Sequence, residues 1–260
     1  MARTPDGPPP PPAVQRLRVH YTKRGRLRFS SHSDFQRAFE RALRRAAVPM
    51  AYSAGFSPHP KVSYAGAAPT GTASEAEYLE IALAARCDPE ALRDALDESL
   101  PPDLDVLEVV EVATHGAPSL AERLQASVWQ LRLTGVAYDD AARAVGAFLA
   151  ADQVEVSRMT KNGLRTFDAR GPVVSLEASD TLSPEPVGEG DMTPCAILRL
   201  VVRHVTPAVR PDDVLAGLAS IGALAPPVTP AVTRLAQGPL DEPAGTVSDP
   251  LAPDRDAAGD

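Results

Sequence analysis

Apolar and polar positions alternate at the start of the chain, where Leu17, Val19 and Tyr21 lie between Arg16, Arg18 and His20. That is the period of a half-buried strand. Lys23-Arg24-Gly25 reads as a turn, and 27–29 as more strand. The period then changes. Phe35, Ala38, Phe39, Ala42, Leu43 and Ala46 recur at three- and four-residue steps, the apolar stripe of an amphipathic helix over 34–47. Ser33 followed by Gln36 fits a capping box, and Pro49 lies beyond the helix end because proline lacks the backbone donor. A short strand over 61–64, a longer one over 77–84, a helix opened by Asp88 and Pro89 and ending near Ser99, and a strand over 104–112 follow. The order strand, helix, strand, strand, helix, strand is that of a ferredoxin-like split βαβ.

The pattern predicts the same order again. Trp129, Leu131 and Leu133 alternate with Gln130, Arg132 and Thr134, and Tyr138, Ala141, Ala142, Val145, Phe148 and Leu149 keep helical spacing. Segments 154–160 and 164–168 flank Asn162-Gly163, a two-residue hairpin signal. Segment 195–203 reads as a central strand, Pro211 as a helix start and 228–234 as a last strand. Tyr78 aligns with Ile197, and Pro89 with Pro211, at an offset of about 120 residues. The expected fold class is α+β, with two ferredoxin-like (split βαβ) halves, 14–115 and 120–235, related by an internal repeat. Whether their sheets join stays open at this level.

Composition changes the picture at the ends. The 27 prolines cluster in 8–12, in 184–194 and after 226. Residues 1–13 are expected to be a disordered proline-rich leader, 182–194 a disordered insert, and 236–260 a disordered acidic tail. Net charge is −8, yet 14–61 holds eleven Lys/Arg against two Asp/Glu, a local +9 that leaves −17 elsewhere. This asymmetry points to a basic functional surface on an acidic body. Cys87 and Cys195 are far apart and lack Cys or His neighbours at metal-ligand spacing, so neither a disulfide framework nor a metal cluster is expected. With no apolar leader and no run of about eighteen apolar residues, the expectation is a soluble cytoplasmic protein without a membrane segment.

Candidate chemistry concentrates between Ser31 and Lys61. Arg37, Arg41, Arg44 and Arg45 form a guanidinium ladder with one acidic neighbour, Glu40. Two readings fit it: an anion-binding face, or a solvated face, which normally mixes signs because like charges four apart repel. Ser31-His32-Ser33-Asp34 joins a nucleophile, a base and an acid, but adjacent residues rarely converge as a triad. A helix cap with free N–H groups for a phosphate is the simpler reading. In the loop 53–61, prolines restrict the chain around Ser53, Gly55, Phe56, His59 and Lys61. His59 and Lys61 would suit a phosphate and Phe56 a base, or else Phe56 is a buried cap on the core. His32 and His59 lack an evident third metal ligand. The Asn162-Gly163 turn would pair Thr160 with Arg165 and Arg158 with Phe167, placing two cations and a ring on one face.

These segments also carry a family likeness. Gly25-Arg26-Leu27-Arg28-Phe29-Ser30-Ser31-His32-Ser33-Asp34, the RALRRAAVP run ending at Pro49, and Ser53-Ala54-Gly55-Phe56-Ser57-Pro58-His59-Pro60-Lys61 lead it. Pro69-Thr70-Gly71 and Ser74-Glu75-Ala76-Glu77-Tyr78 extend it. Over 14–234 the chain resembles the bacterial radical-SAM-associated domain of unknown function. The resemblance implies either the C-terminal part of a radical S-adenosylmethionine protein, or a separate chain encoded near one or near an E/G-type ribonuclease. The stand-alone form applies here: no CxxxCxxC motif is present, so the chain has no means of binding the cluster, and no cofactor is expected.

The resulting expectation is a non-catalytic RNA-binding or substrate-presenting module acting with a radical SAM or RNA-processing partner. Its binding residues would be Lys23, Arg28, Ser31, His32, Asp34, Arg37, Arg41, Arg44, Arg45, Ser53, Gly55, Phe56, His59, Lys61, Arg158 and Arg165. The alternatives are a structural adaptor or an RNA-modifying enzyme. Two ferredoxin-like halves also build pseudouridine synthases, whose aspartate loop Arg165-Thr166-Phe167-Asp168 loosely resembles. There Asp168 would be the nucleophile, although Phe167 intervenes.

Overall fold

The computed structural model describes residues 11–54, 56–112, 117–160, 163–179 and 193–258. They belong to two compact units, Met1–Leu124 with Asp249–Asp260, and Gln125–Ser248. In the first, β1 (Gln15–Lys23), α1 (His32–Arg45), β2 (Val62–Ala65), β3 (Ala73–Leu83), α2 (Pro89–Ser99) and β4 (Val106–Glu111) follow in turn, and a short α3 (Leu120–Arg123) ends the run. The antiparallel sheet has the order β4-β1-β3-β2, so the first strand lies between the fourth and the third, as in a split βαβ. Leu17, Val19 and Tyr21 of β1 and Leu79, Ile81 and Leu83 of β3 share a buried cluster with Phe35, Phe39 and Leu43 of α1 and Leu92 and Leu96 of α2. A two-residue strand period thus meets a 3.6-residue helical stripe. Tyr21 stacks on Phe35 at 4.6 Å between ring centroids.

Two local expectations are corrected. Residues 27–29 are not strand: Gly25 takes φ +47° and turns the chain into a 3-10 helix, Gly25–Phe29. The N-cap of α1 is Ser31, with Asp34 rather than Gln36 completing the box. The Ser31 hydroxyl accepts from the Asp34 N–H at 3.2 Å and donates to its carboxylate at 2.6 Å. A charged acceptor at this position meets the positive end of the helix dipole, which favours it over the neutral Gln36.

The second unit runs β5 (Ala126–Thr134), α4 (Tyr138–Ala150), β6 (Glu155–Thr160), β7 (Gly163–Asp168), β8 (Val173–Ser179), β9 (Cys195–Arg203), α5 (Pro211–Gly222) and β10 (Ala231–Gly238), then a small hairpin of β11 (Leu240–Asp241) and β12 (Thr246–Val247). Its sheet order is β10-β5-β9-β8, with every pair antiparallel. The second strand of this sheet is β8, which the hydrophobic pattern did not reveal, while β6 and β7 form a separate two-stranded sheet. The reason is a bulge between Val173 and Ser175. It buries Val173 and Leu176, three residues apart, and so erases the two-residue period. The likeness between the two units' strand orders is one of topology. Phe148, Leu131, Leu198 and Leu218 are fully buried between this sheet and α4 and α5. Gly222 allows α5 close to α4, since a Cβ there would lie 2.5 Å from the Ala144 Cα.

The β6–β7 register also differs from expectation. Thr160 pairs with Gly163, Arg158 with Arg165 and Val156 with Phe167. Residues 161 and 162, between these paired ends, lie outside the described residues. Gly163, at φ +102°, serves as the first residue of β7. Because the pairing shifts by two, Arg158, Thr160, Arg165 and Phe167 still share a face.

The expected disordered tail from 236 is overturned. β10 continues to Gly238, and after the β11–β12 hairpin the chain returns to the first unit as α6 (Ala252–Ala258). There Leu251 and Asp254 are buried, and Leu251 packs with Ala65, Tyr78, Val110, Leu120 and Leu124. The polar half of the β1 alternation is consequently only partly solvated, with Arg16 exposed and His20 half-buried. Arg18 is fully buried and donates to Glu80 at 3.1 Å, Asp254 at 2.7 Å and the Pro118 carbonyl at 2.6 Å. Arg123 approaches the same Asp254 carboxylate at 2.7 and 3.2 Å. Proline and acidic content made the tail look unable to fold, but a few buried contacts anchor it. The predicted leader falls on 1–10 and the predicted insert on 180–192 for the most part, outside the described residues.

Phe39→Ala, which empties a ring site 1% exposed, should cost about 3–5 kcal/mol in urea unfolding. Asp254→Asn leaves two buried guanidiniums without their shared anion and should cost a similar ~3–5 kcal/mol. A loss below about 1 kcal/mol for Asp254→Asn would mean that α6 is not part of the folded first unit.

Candidate nucleic-acid interface

The polar side of α1 carries two stripes at four-residue steps, His32, Gln36, Glu40 and Arg44 on one, Arg37, Arg41 and Arg45 on the other. The structure therefore splits the arginine ladder. Arg45 donates to the Ser99 carbonyl at the end of α2. Arg37 has only a loose exposed pair with Asp34 at 3.9 Å, and the Arg41 side chain has no hydrogen bond or ion pair among the described residues. Arg44 belongs to the first stripe, beside Glu40.

That first stripe follows β2 and then the loop after the helix. The His32 ring meets Tyr64 edge-on at 5.1 Å and bonds Gln36 at 3.0 Å. Burial, and then the nearby Glu40 charge, hold the Tyr64 phenol well above its usual range, so it stays protonated. Further along, Glu40 and Arg44 border a groove of about 420 Å³. Leu43, Val48 and Met50 supply its apolar lining, with Tyr52 and His59 across from the helix and Pro58 and Pro60 at either side of the histidine.

Local backbone chemistry builds this groove. Ala47 takes the left-handed φ of +49°, usually a glycine position, in a Schellman closure. Val48 N–H donates to Leu43 O at 3.0 Å, and Ala47 N–H to Arg44 O at 3.2 Å. The chain then runs out and back as a narrow antiparallel pair. Lys61 N–H donates to Ala51 O at 2.8 Å, Ser53 N–H to His59 O at 2.9 Å, and His59 N–H to the Ser53 hydroxyl at 3.1 Å. Ser53 is thus a brace for the loop. Phe56, near the tip, is 70% exposed, so it does not cap the core. Lys61 is exposed, and Gly55 lies outside the described residues.

Several expected binding residues have other work. Lys23 is buried, its ammonium donating to the Ala68 and Pro69 carbonyls at 3.1 and 3.3 Å. Ser31 and Asp34 cap α1 by bonding each other, which sets the protein's own carboxylate at the helix start. The Ser31 hydroxyl and backbone bonds hold the Asp34 carboxyl below the usual range. Arg28 covers the exposed Phe29 ring at 4.7 Å. On the β6–β7 hairpin, Arg158 pairs with the buried Asp213, donates to the Ala208 carbonyl and lies over Phe167 at 5.0 Å. It braces the hairpin against α5, which leaves Arg165 exposed on that face.

Asp168 is held in a similar way. Its carboxylate accepts from the N–H groups of Val154, Arg170 and Gly171, each at 2.9 Å. Burial works against its charge, but these bonds and the Arg170 cation keep the carboxyl below its ordinary range. An anion engaged on both oxygens is a staple for the β7–β8 turn and a poor nucleophile. Glu40 and Tyr52, by contrast, are site residues that the sequence reading passed over. The available signal was the four-residue spacing of His32, Gln36, Glu40 and Arg44. Among the described residues no three His, Cys, Asp or Glu side chains converge as metal ligands.

Residues 16–211 match a family described as an uncharacterised protein conserved in bacteria (DUF2344). No curated protein matches the chain. Among solved structures, the chain is similar to the crystal structure of an unknown protein from Galdieria sulphuraria, at 14% identity and a TM-score of 0.24, over 85% of this chain and 98% of that one.

Asp168→Asn should destabilise the fold at neutral pH by about 1–3 kcal/mol, the scale for hydrogen bonds to a charged group. A depressed folded pKa contributes stability above the unfolded value near ~3.9 and loses it as pH falls through the folded value. The gap between wild type and variant should therefore close in urea melts as pH falls below about 4. A gap independent of pH would refute the charged staple.

Proposed function

The chain belongs to this bacterial family, and we propose that it is a non-catalytic module that binds single-stranded RNA and presents it to a partner enzyme. The observation that carries the reading is the pairing of two features on one helix. Arg37 and Arg41 stand exposed on one side of α1, and the groove holding Arg44, His59 and Tyr52 opens on another. A strand's phosphates meet the exposed guanidiniums, while an unstacked base enters the groove against an aromatic side chain. Arginine stays protonated at neutral pH, so it orients phosphates without moving protons. The carboxylates Asp34 and Asp168 are engaged within the fold, which supports binding over catalysis. The partner that fits this role is a radical S-adenosylmethionine protein or an E/G-type ribonuclease, met in the cytoplasm.

The test is the double variant Arg37→Gln/Arg41→Gln, titrated against a labelled single-stranded oligonucleotide by fluorescence anisotropy at several salt concentrations. Affinity should fall, and the log–log salt slope should drop by about 0.7 for each phosphate no longer neutralised. Stability should change by no more than about 0.5 kcal/mol. Unchanged affinity and slope would remove this surface from any role in RNA binding.

A further inference from the structure

The groove holds two opposite charges that do not neutralise each other. Glu40 and Arg44 are four residues apart on α1, the spacing and order at which a helical ion pair normally forms. Yet neither side chain has a hydrogen bond or ion pair among the described residues, and both border the same groove. Between them and the opposite wall lie an apolar lining from Leu43, Val48 and Met50 and the half-exposed ring of Tyr52. The site therefore offers a flat ligand an apolar bed and an aromatic face. Along its helical edge it offers an acceptor-only carboxylate, with a cation one turn further on.

A nucleobase facing an ionised carboxylate must bring donors. Guanine brings two, N1–H and the 2-amino group, side by side on its Watson–Crick edge, and they match the two carboxylate oxygens. Adenine and cytosine each set one amino donor beside a ring acceptor, whose lone pair would face the second oxygen. Uracil has one N–H between two carbonyls. We infer that this groove selects a guanine base of a single-stranded RNA, with Glu40 accepting from N1–H and the 2-amino group. Arg44 and His59 then donate to the adjoining phosphate, and Tyr52 covers one face of the base. This inference rests on the RNA-binding reading above and adds base identity to it.

The experiment uses the full chain and three labelled uridine-rich oligomers that differ at one central position, guanosine, adenosine or inosine. Wild type should prefer guanosine over adenosine by about tenfold, on the scale of a bidentate base contact, with inosine between because it keeps N1–H and lacks the 2-amino group. Glu40→Gln should bring guanosine and adenosine to within about twofold, while Arg37→Gln/Arg41→Gln weakens all three oligomers alike and keeps the preference. Tyr52→Ala, which leaves α1 untouched, should weaken all three equally by removing the stacking ring. Equal binding of the three oligomers by wild type would overturn guanine selection and leave the RNA reading standing. A preference that persists in Glu40→Gln would overturn the role of Glu40. Failure of wild type to bind any oligomer would overturn both the inference and the reading beneath it.

Discussion

The first unit depends on one carboxylate shared by two buried guanidiniums. Asp254, from the last helix of the chain, meets Arg18 of the first strand and Arg123 of the short α3. Arg18 is fully buried, and with Glu80 and the Pro118 carbonyl its donors find acceptors on three separate segments. A buried ion pair gives little net stability compared with a well-packed apolar replacement, but removing one partner is costly. Its consequence is therefore specificity. The far face of the sheet accepts α6 in one register, and chain 236 residues downstream of Arg18 closes over a surface that the strand pattern alone would have left wet.

With that face closed, the sheet offers its other side to α1 and α2, and α1 is held along its apolar stripe by Phe35, Phe39 and Leu43. A helix pinned on one side presents its remaining positions in fixed directions. This separates the two polar stripes and sets Glu40 and Arg44 opposite the loop that carries Tyr52 and His59. Ala47 bears the conformational cost at the hinge between them, a left-handed residue with a side chain where glycine would be easier. The groove results from that turn and from the narrow loop beyond it, whose backbone bonds place His59 without help from a ligand.

Much of this was legible. The strand–helix–strand–strand–helix–strand order of the first unit followed from periodicity, and Pro89 and Pro211 do begin helices. Failures occurred where long-range contacts decide the outcome. Arg18 sits at an ordinary outward position of a strand, and nothing local announces a carboxylate over two hundred residues away. β8 hid behind a bulge, and α6 behind a composition typical of disordered tails. At the candidate site, residue types were readable and their engagement was not. Ser31, Asp34 and Arg158 have the chemistry of binding groups, and each is already satisfied by the fold.

The same point changes the meaning of the local charge excess. Counted along 14–61, the chain is strongly basic, but its acids come from elsewhere in the sequence. Glu80 meets Arg16 and Arg18, Glu75 and Asp105 meet Arg24, and Lys23 is buried among carbonyls. What stays exposed and cationic without a close ion pair is a small set, Arg26, then Arg37, Arg41, Arg44 and Arg45 on α1, and Lys61 on the loop beyond it. A set that small neutralises few phosphates, so it gains little from counterion release and holds a polyanion weakly on charge alone. On an otherwise acidic protein, non-specific attraction is weaker still. On the proposed reading, RNA affinity would therefore come mainly from the apolar lining and ring of the groove, and the choice of base from Glu40 at its helical edge.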